Sequence, residues 1–131
     1  MNNILIIEDN KEVRENTAEL LELSNYNVIT ASNGYLGFEM AKKFRPDLIL
    51  CDMMMPETDG NAFLQLARED GTLAGVPLIF FTAGSPNLEL HTRMINLGHQ
   101  FLFKPFTEEA LLGKIQTGLL QSKASYPTLS L

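Results

Sequence analysis

Five times along the chain a short apolar run gives way to a longer segment of helical period, and few folds accommodate that alternation. The runs predict strands at Asn3–Ile7, Val28–Ala31, Leu48–Cys51, Leu78–Phe81 and Gln100–Phe103. Between and after them, apolar positions recur at helical spacing: Val13, Thr17, Leu20 and Leu21; Leu36, Met40 and Phe44; Phe63, Leu66 and Ala67; Leu90, Met94 and Leu97; Leu112, Ile115 and Leu119. Turn residues fall between these segments, among them Asn33-Gly34, Pro46, Asp59-Gly60, Gly75, Pro77, Ser85-Pro86 and Gly98. Asp9 or Asn10 is placed to cap the first helix, and Thr107 with Glu108 and Glu109 opens the last. Strict alternation implies parallel strands joined by right-handed crossovers, with helices on both faces of one sheet. The strands read as continuous apolar runs, as they must when both faces are covered.

At 131 residues the chain is long enough for one domain with a proper core. A net charge of −6 argues against a sequence-independent hold on nucleic acid, which depends on Lys and Arg neutralising phosphates. Cys51 is the single cysteine, so no intramolecular disulfide is available. No apolar run approaches the roughly 18 residues a membrane span requires, and the N-terminus lacks the basic region of a signal peptide. The expectation is a cytoplasmic protein that does not enter a membrane. Periodicity is lost after Gln121, so Met1–Gln121 reads as the domain and Ser122–Leu131 as a tail or the start of a linker.

Chemistry concentrates where the predicted strands end. Glu8-Asp9 follows the first, Asp52 the third, Thr82 the fourth, and Lys104 lies before Pro105 after the fifth. In an open sheet of strand order 2-1-3-4-5 the switch point lies between strands 1 and 3, and the acids would meet in the crevice there. Three carboxylates that converge do not all stay ionised without a cation. An all-oxygen set with room for waters suits Mg²⁺, with Mn²⁺ as a substitute, and disfavours zinc. A carboxylate nucleophile beside such a cation can accept a phosphoryl group, a transfer that needs in-line positioning and charge neutralisation.

Together with the stretch Asp52-Met53-Met54-Met55-Pro56-Glu57-Thr58-Asp59-Gly60, these residues resemble the receiver domain of two-component response regulators, over the whole chain up to Gln121. The resemblance implies a three-layer, flavodoxin-like fold with the strand order above. It makes Asp52 the phosphoryl acceptor, fed by a sensor histidine kinase or a histidine phosphotransfer protein. Asp9, Asp52 and the backbone carbonyl of Met54 would ligate Mg²⁺, with Glu8 acting through a water. Lys104 would place its charge on a phosphoryl oxygen and Thr82 its hydroxyl on another, with the Lys104–Pro105 peptide cis. Phe101 would turn inward as Thr82 moves, changing the surface formed by helix 4, strand 5 and helix 5. That surface would meet an effector domain or protein, or a second copy of the chain.

The chain departs from the family pattern in the Gly98–Lys104 run, one residue short and without the usual Ala, and in Gly84 at the pocket mouth. His91 and His99 lack partners at ligand spacing and read as surface residues, and Cys51 as an inert buried thiol. A regulatory acceptor rather than an enzyme is expected. A haloacid-dehalogenase-like, Mg²⁺-dependent phosphohydrolase would need a second Asp two residues after Asp52, where Met54 stands. A flavin-binding flavodoxin would carry a Ser/Thr/Gly-rich loop in place of Glu8-Asp9-Asn10-Lys11-Glu12. An unphosphorylated interaction module on the same fold would have no use for the intact acids, Thr82 and Lys104.

Overall fold

A computed structural model describes residues 2–53, 60–71, 73, 75–83, 100–104 and 106–124, with the backbone alone at 60, 61, 82, 83, 104 and 121–124. The predicted fourth helix, built on Leu90, Met94 and Leu97, lies outside the described residues, as do Gly84, His91, Gly98 and His99. In chain order the elements are β1 (Asn3–Ile7), α1 (Lys11–Leu23), β2 (Asn27–Ala31), α2 (Gly34–Phe44), β3 (Leu48–Asp52), α3 (Gly60–Glu69), β4 (Leu78–Ala83), β5 (Gln100–Lys104) and a last helix, Glu108–Ala124. The five strands form one sheet in the order β2-β1-β3-β4-β5, and every pairing is parallel. This is the architecture that the alternation implies.

Because side chains alternate across a strand, each apolar run feeds two cores. Ile4, Ile6, Leu48, Leu50, Ile79, Phe81 and Leu102 pack with Leu21 of α1 and with Leu111, Ile115 and Leu119 of the last helix. On the other side Leu5, Ile7, Ile49, Cys51, Leu78, Phe80 and Phe101 pack with Ala41 of α2 and with Phe63, Leu64 and Ala67 of α3. Burying a Leu, Ile or Phe side chain completely contributes about 1.5–3 kcal/mol, so these two layers hold the sheet between its helices. No helix among the described residues is long and apolar enough to cross a membrane.

One open alternative is resolved and two local expectations shift. Asn10 rather than Asp9 caps α1, its side chain accepting from the Val13 amide at 3.0 Å. The last helix continues to Ala124, three residues beyond the loss of periodicity at Gln121. A helix end needs only backbone bonds and tolerant residues, not a buried stripe, and Ser, Lys and Ala are tolerant. Of the predicted Leu36-Met40-Phe44 stripe only Met40 packs against the core, since Leu36 and Phe44 are 43% and 45% exposed. Gly34, Gly37 and Ala41 are buried instead. A Cβ at Gly37 would come 2.4 Å from Ile7 Cδ1, so the helix lies too close to β1 for large side chains to fit between them.

Candidate functional site

Register decides which strand ends meet. Ile7 of β1 stands opposite Cys51 of β3, so Glu8 follows at the level of Asp52. Asp52 stands opposite Phe81, Thr82 follows opposite Phe103, and Ala83 stands opposite Lys104. Parallel strands all present their carboxyl ends at one edge, and that edge therefore carries Glu8, Asp9, Asp52, Thr82 and Lys104 together. The neighbouring β1 and β3 lead their helices to opposite faces, with α1 in one core and α2 and α3 in the other. In an open sheet a reversal of this kind leaves a crevice between the two strand ends, where ligands bind.

The three acids expected to share a cation do converge. One carboxylate oxygen from each of Glu8, Asp9 and Asp52 lies within 4.8 Å of the other two. Glu8 is 0% exposed and Asp52 5%, while Asp9 is open to solvent. At that separation each ionised pair repels by about 3.5 kcal/mol at an effective dielectric near 20. Part of that is offset locally where Glu8 Oε2 accepts the Asn10 amide at 3.2 Å; the Glu8 backbone amide separately donates to the Ala31 carbonyl at 3.0 Å. The first bond holds the Glu8 carboxylate back over its own turn, and the second ties that turn to β2. A set of three carboxylates, two buried and one open to water, has the donor chemistry of a hard divalent cation that keeps part of its water shell.

Around the acids, Cys51 is buried as expected, with its Sγ 3.5 Å from the Asp52 carbonyl oxygen. Phe101 is 7% exposed, its ring 5.7 Å from that of Phe80 at an interplanar angle of 35°. Phe80 in turn stands opposite Cys51, one residue before Asp52. Phe101 is thus buried in this structure, with the Phe80 ring as an apolar neighbour. The side chains of Thr82 and Lys104, the Met54 carbonyl and the Lys104–Pro105 peptide lie outside the described residues. One residue at the site escapes the sequence reading. Arg14 of α1 donates from Nη1 to the Glu8 carbonyl oxygen at 2.8 Å. Its readable signal is a cation in the first turn of a helix, where the macrodipole disfavours one.

Comparison with known proteins agrees with this geometry. The model of the response regulator receiver domain matches residues 4–116. The hybrid signal transduction histidine kinase D of Dictyostelium discoideum is 32% identical over 92% of this chain, which spans 8% of that kinase. The DNA-binding dual master transcriptional regulator RpaA of Synechocystis is 31% identical over 88% of the chain, which spans 48% of its length. The chain spans about half the length of most such relatives, although it covers 84% of protein PilG of Pseudomonas aeruginosa at 29% identity. Among solved structures, the chemotaxis protein CheY4 of Vibrio cholerae superposes with a TM-score of 0.83 at 28% identity, covering 91% of this chain and 99% of that one. The sheet order, the acids at its carboxyl edge and the match over residues 4–116 lead to one family: the chain belongs to the response regulator receiver domains.

Proposed function

We propose that Asp52 accepts a phosphoryl group from a phosphohistidine of a sensor histidine kinase or phosphotransfer protein. In that step an Asp52 carboxylate oxygen attacks phosphorus, the phosphorus–nitrogen bond of the donor breaks, and the electron pair returns to the imidazole, which takes up a proton. The product is an acyl phosphate on Asp52. The observation that carries the reading is the convergence of Glu8, Asp9 and Asp52 within 4.8 Å at the carboxyl edge of a receiver fold. In this reading Asp9, Asp52 and the Met54 carbonyl hold Mg²⁺, or Mn²⁺ in its place, with Glu8 acting through a water. The cation supplies charge neutralisation for the transferring oxygens.

Lys104, which ends β5 opposite Ala83, supplies a second positive charge, and Thr82 on β4 a hydroxyl donor. Phosphorylation adds about one to two negative charges at the end of β3. The state is read out on the surface formed by β5, the last helix and the fourth helix expected from the sequence, by an effector or by a second copy of the chain. Direct contact with nucleic acid is not part of this role, in keeping with the net charge of −6. A cytoplasmic setting, a regulatory rather than enzymatic role, and the Met1–Gln121 extent of the domain complete the proposal.

Acetyl phosphate or phosphoramidate with Mg²⁺ tests it. One phosphoryl group should be taken up, mapping to Asp52, and Asp52→Asn should take up none because its amide is not a nucleophile. Labelling that persists in Asp52→Asn and maps to another acid would refute the assignment.

A further inference from the structure

The connector between β1 and α1 has only three residues, Glu8, Asp9 and Asn10, and Arg14 bonds the carbonyl of every one of them. Its backbone amide donates to Asn10 O at 2.9 Å, and its Nη1 donates to Glu8 O at 2.8 Å and to Asp9 O at 3.5 Å. The Asn10 amide meanwhile donates to Glu8 Oε2, and the Asn10 side chain caps α1 by accepting from Val13 N. The result is a closed ring of bonds from the end of β1, through both acids, to the first turn of α1. Helix stability does not explain a cation at this point, because positive charge is disfavoured near a helix N-terminus. Lys11, in the same turn, behaves differently: it is 78% exposed and lies 3.9 Å from Glu15.

From this arrangement we infer that Arg14 is a positioning residue for the cation site, holding the Glu8–Asp9 turn in the shape that aims both carboxylates at Asp52. The inference rests on the proposed reading of that site as a Mg²⁺ site. Two effects of Arg14 on a cation have opposite signs. Its charge repels the cation, and its bonds pre-arrange the ligands. Arg14 is half-buried, and its guanidinium is bonded to carbonyls, so surrounding water and salt weaken the repulsion. Mg²⁺ demands nearly ideal octahedral geometry at about 2.0–2.1 Å, whereas Ca²⁺ accepts flexible arrangements at about 2.3–2.6 Å. Pre-arrangement therefore matters more to Mg²⁺, and it outweighs the repulsion. A residue that orients ligands from behind is typically worth about 10–100-fold in metal affinity.

The test titrates MgCl₂ and CaCl₂ into the wild-type chain, R14Q and R14K, following the amide signals of residues 8–10, 52 and 53, with unfolding midpoints measured in EDTA. R14Q should weaken Mg²⁺ binding by about 10-fold, Ca²⁺ by clearly less, and R14K should fall between R14Q and wild type. Equal or tighter Mg²⁺ binding by R14Q would mean that repulsion dominates, and the inference fails while the site reading stands. Equal losses for both cations, paired with a lowered midpoint in EDTA, would make Arg14 merely structural and also overturn it. A wild-type chain without any Mg²⁺ response overturns the inference and the site reading together. Should R14Q fail to fold, R14K decides: loss of Mg²⁺ over Ca²⁺ preference supports positioning, and an unchanged preference refutes it.

Discussion

One substitution made at two glycines should have opposite effects, and the structure says why. Gly37 is on the face of α2 pressed against β1, where an added Cβ would lie 2.4 Å from Ile7 Cδ1, 2.7 Å from Cγ1 and 3.3 Å from Cγ2. Carbon atoms in contact prefer about 3.5–4.0 Å. Ile7 is completely buried, and the clash reaches Cγ1 as well as the tip, so one rotamer change does not clear it. Overpacking of this kind costs about 1–3 kcal/mol, and the better helix propensity of Ala returns about 1 kcal/mol. Gly37→Ala should therefore destabilise by up to about 2 kcal/mol. Gly113, in the exposed face of the last helix, has nothing within 4 Å of the same Cβ. Gly113→Ala should stabilise by about 0.5–1 kcal/mol. Urea unfolding followed by far-ultraviolet circular dichroism reads both, since the chain has no Trp. The midpoint should fall for Gly37→Ala and rise for Gly113→Ala at an unchanged slope. If Gly37→Ala proves as stable as wild type or more so, α2 is not pressed onto β1 as described, and the account of its inward face is wrong.

Replacing Asp9 by Asn should weaken Mg²⁺ binding while leaving the fold intact, because Asp9 is the exposed acid of the three; unchanged affinity in the same amide titration would remove it from the cation site. Asn33→Ala should cost about 1 kcal/mol in urea unfolding, since the Asn33 side chain accepts the Leu36 amide at 2.9 Å as the cap of α2. Arg45 ends α2 at φ 48°, in the left-handed region, and Arg45→Gly should raise stability by up to about 1 kcal/mol. A lowered urea midpoint in that variant would show that contacts of Arg45 outweigh its backbone strain.

Much of the candidate site was legible before any coordinates because its chemistry is local. Leu48-Ile49-Leu50-Cys51 is a run with both faces buried, and whatever follows it is delivered to the sheet edge; here that is Asp52. The same reasoning puts Glu8 and Asp9 after β1, and alternation with helices forces those ends to one side. The last helix shows the same legibility at finer scale, with Ile115 and Leu119 buried as their spacing predicts and Leu111 joining them.

Tertiary structure decided whatever depends on distances between layers and on groups far along the chain from their partners. Apolar spacing alone favoured Leu36, Met40 and Phe44 as the inward face of α2, but Leu36 and Phe44 stay exposed, and the buried positions are the small residues Gly34, Gly37 and Ala41, with Gly37 pressed onto Ile7 of β1. Phe101 is buried beside the ring of Phe80 on the neighbouring strand, a contact between residues 21 positions apart in the chain. Arg14 reads as an ordinary helix cation until the turn of α1 swings its guanidinium back over the Glu8 carbonyl. Hydrophobic periodicity reports which side of an element avoids water, and motif spacing reports which groups reach an edge. Neither carries the separation between packed surfaces or the direction of a long side chain, because both are set by the whole fold closing on itself.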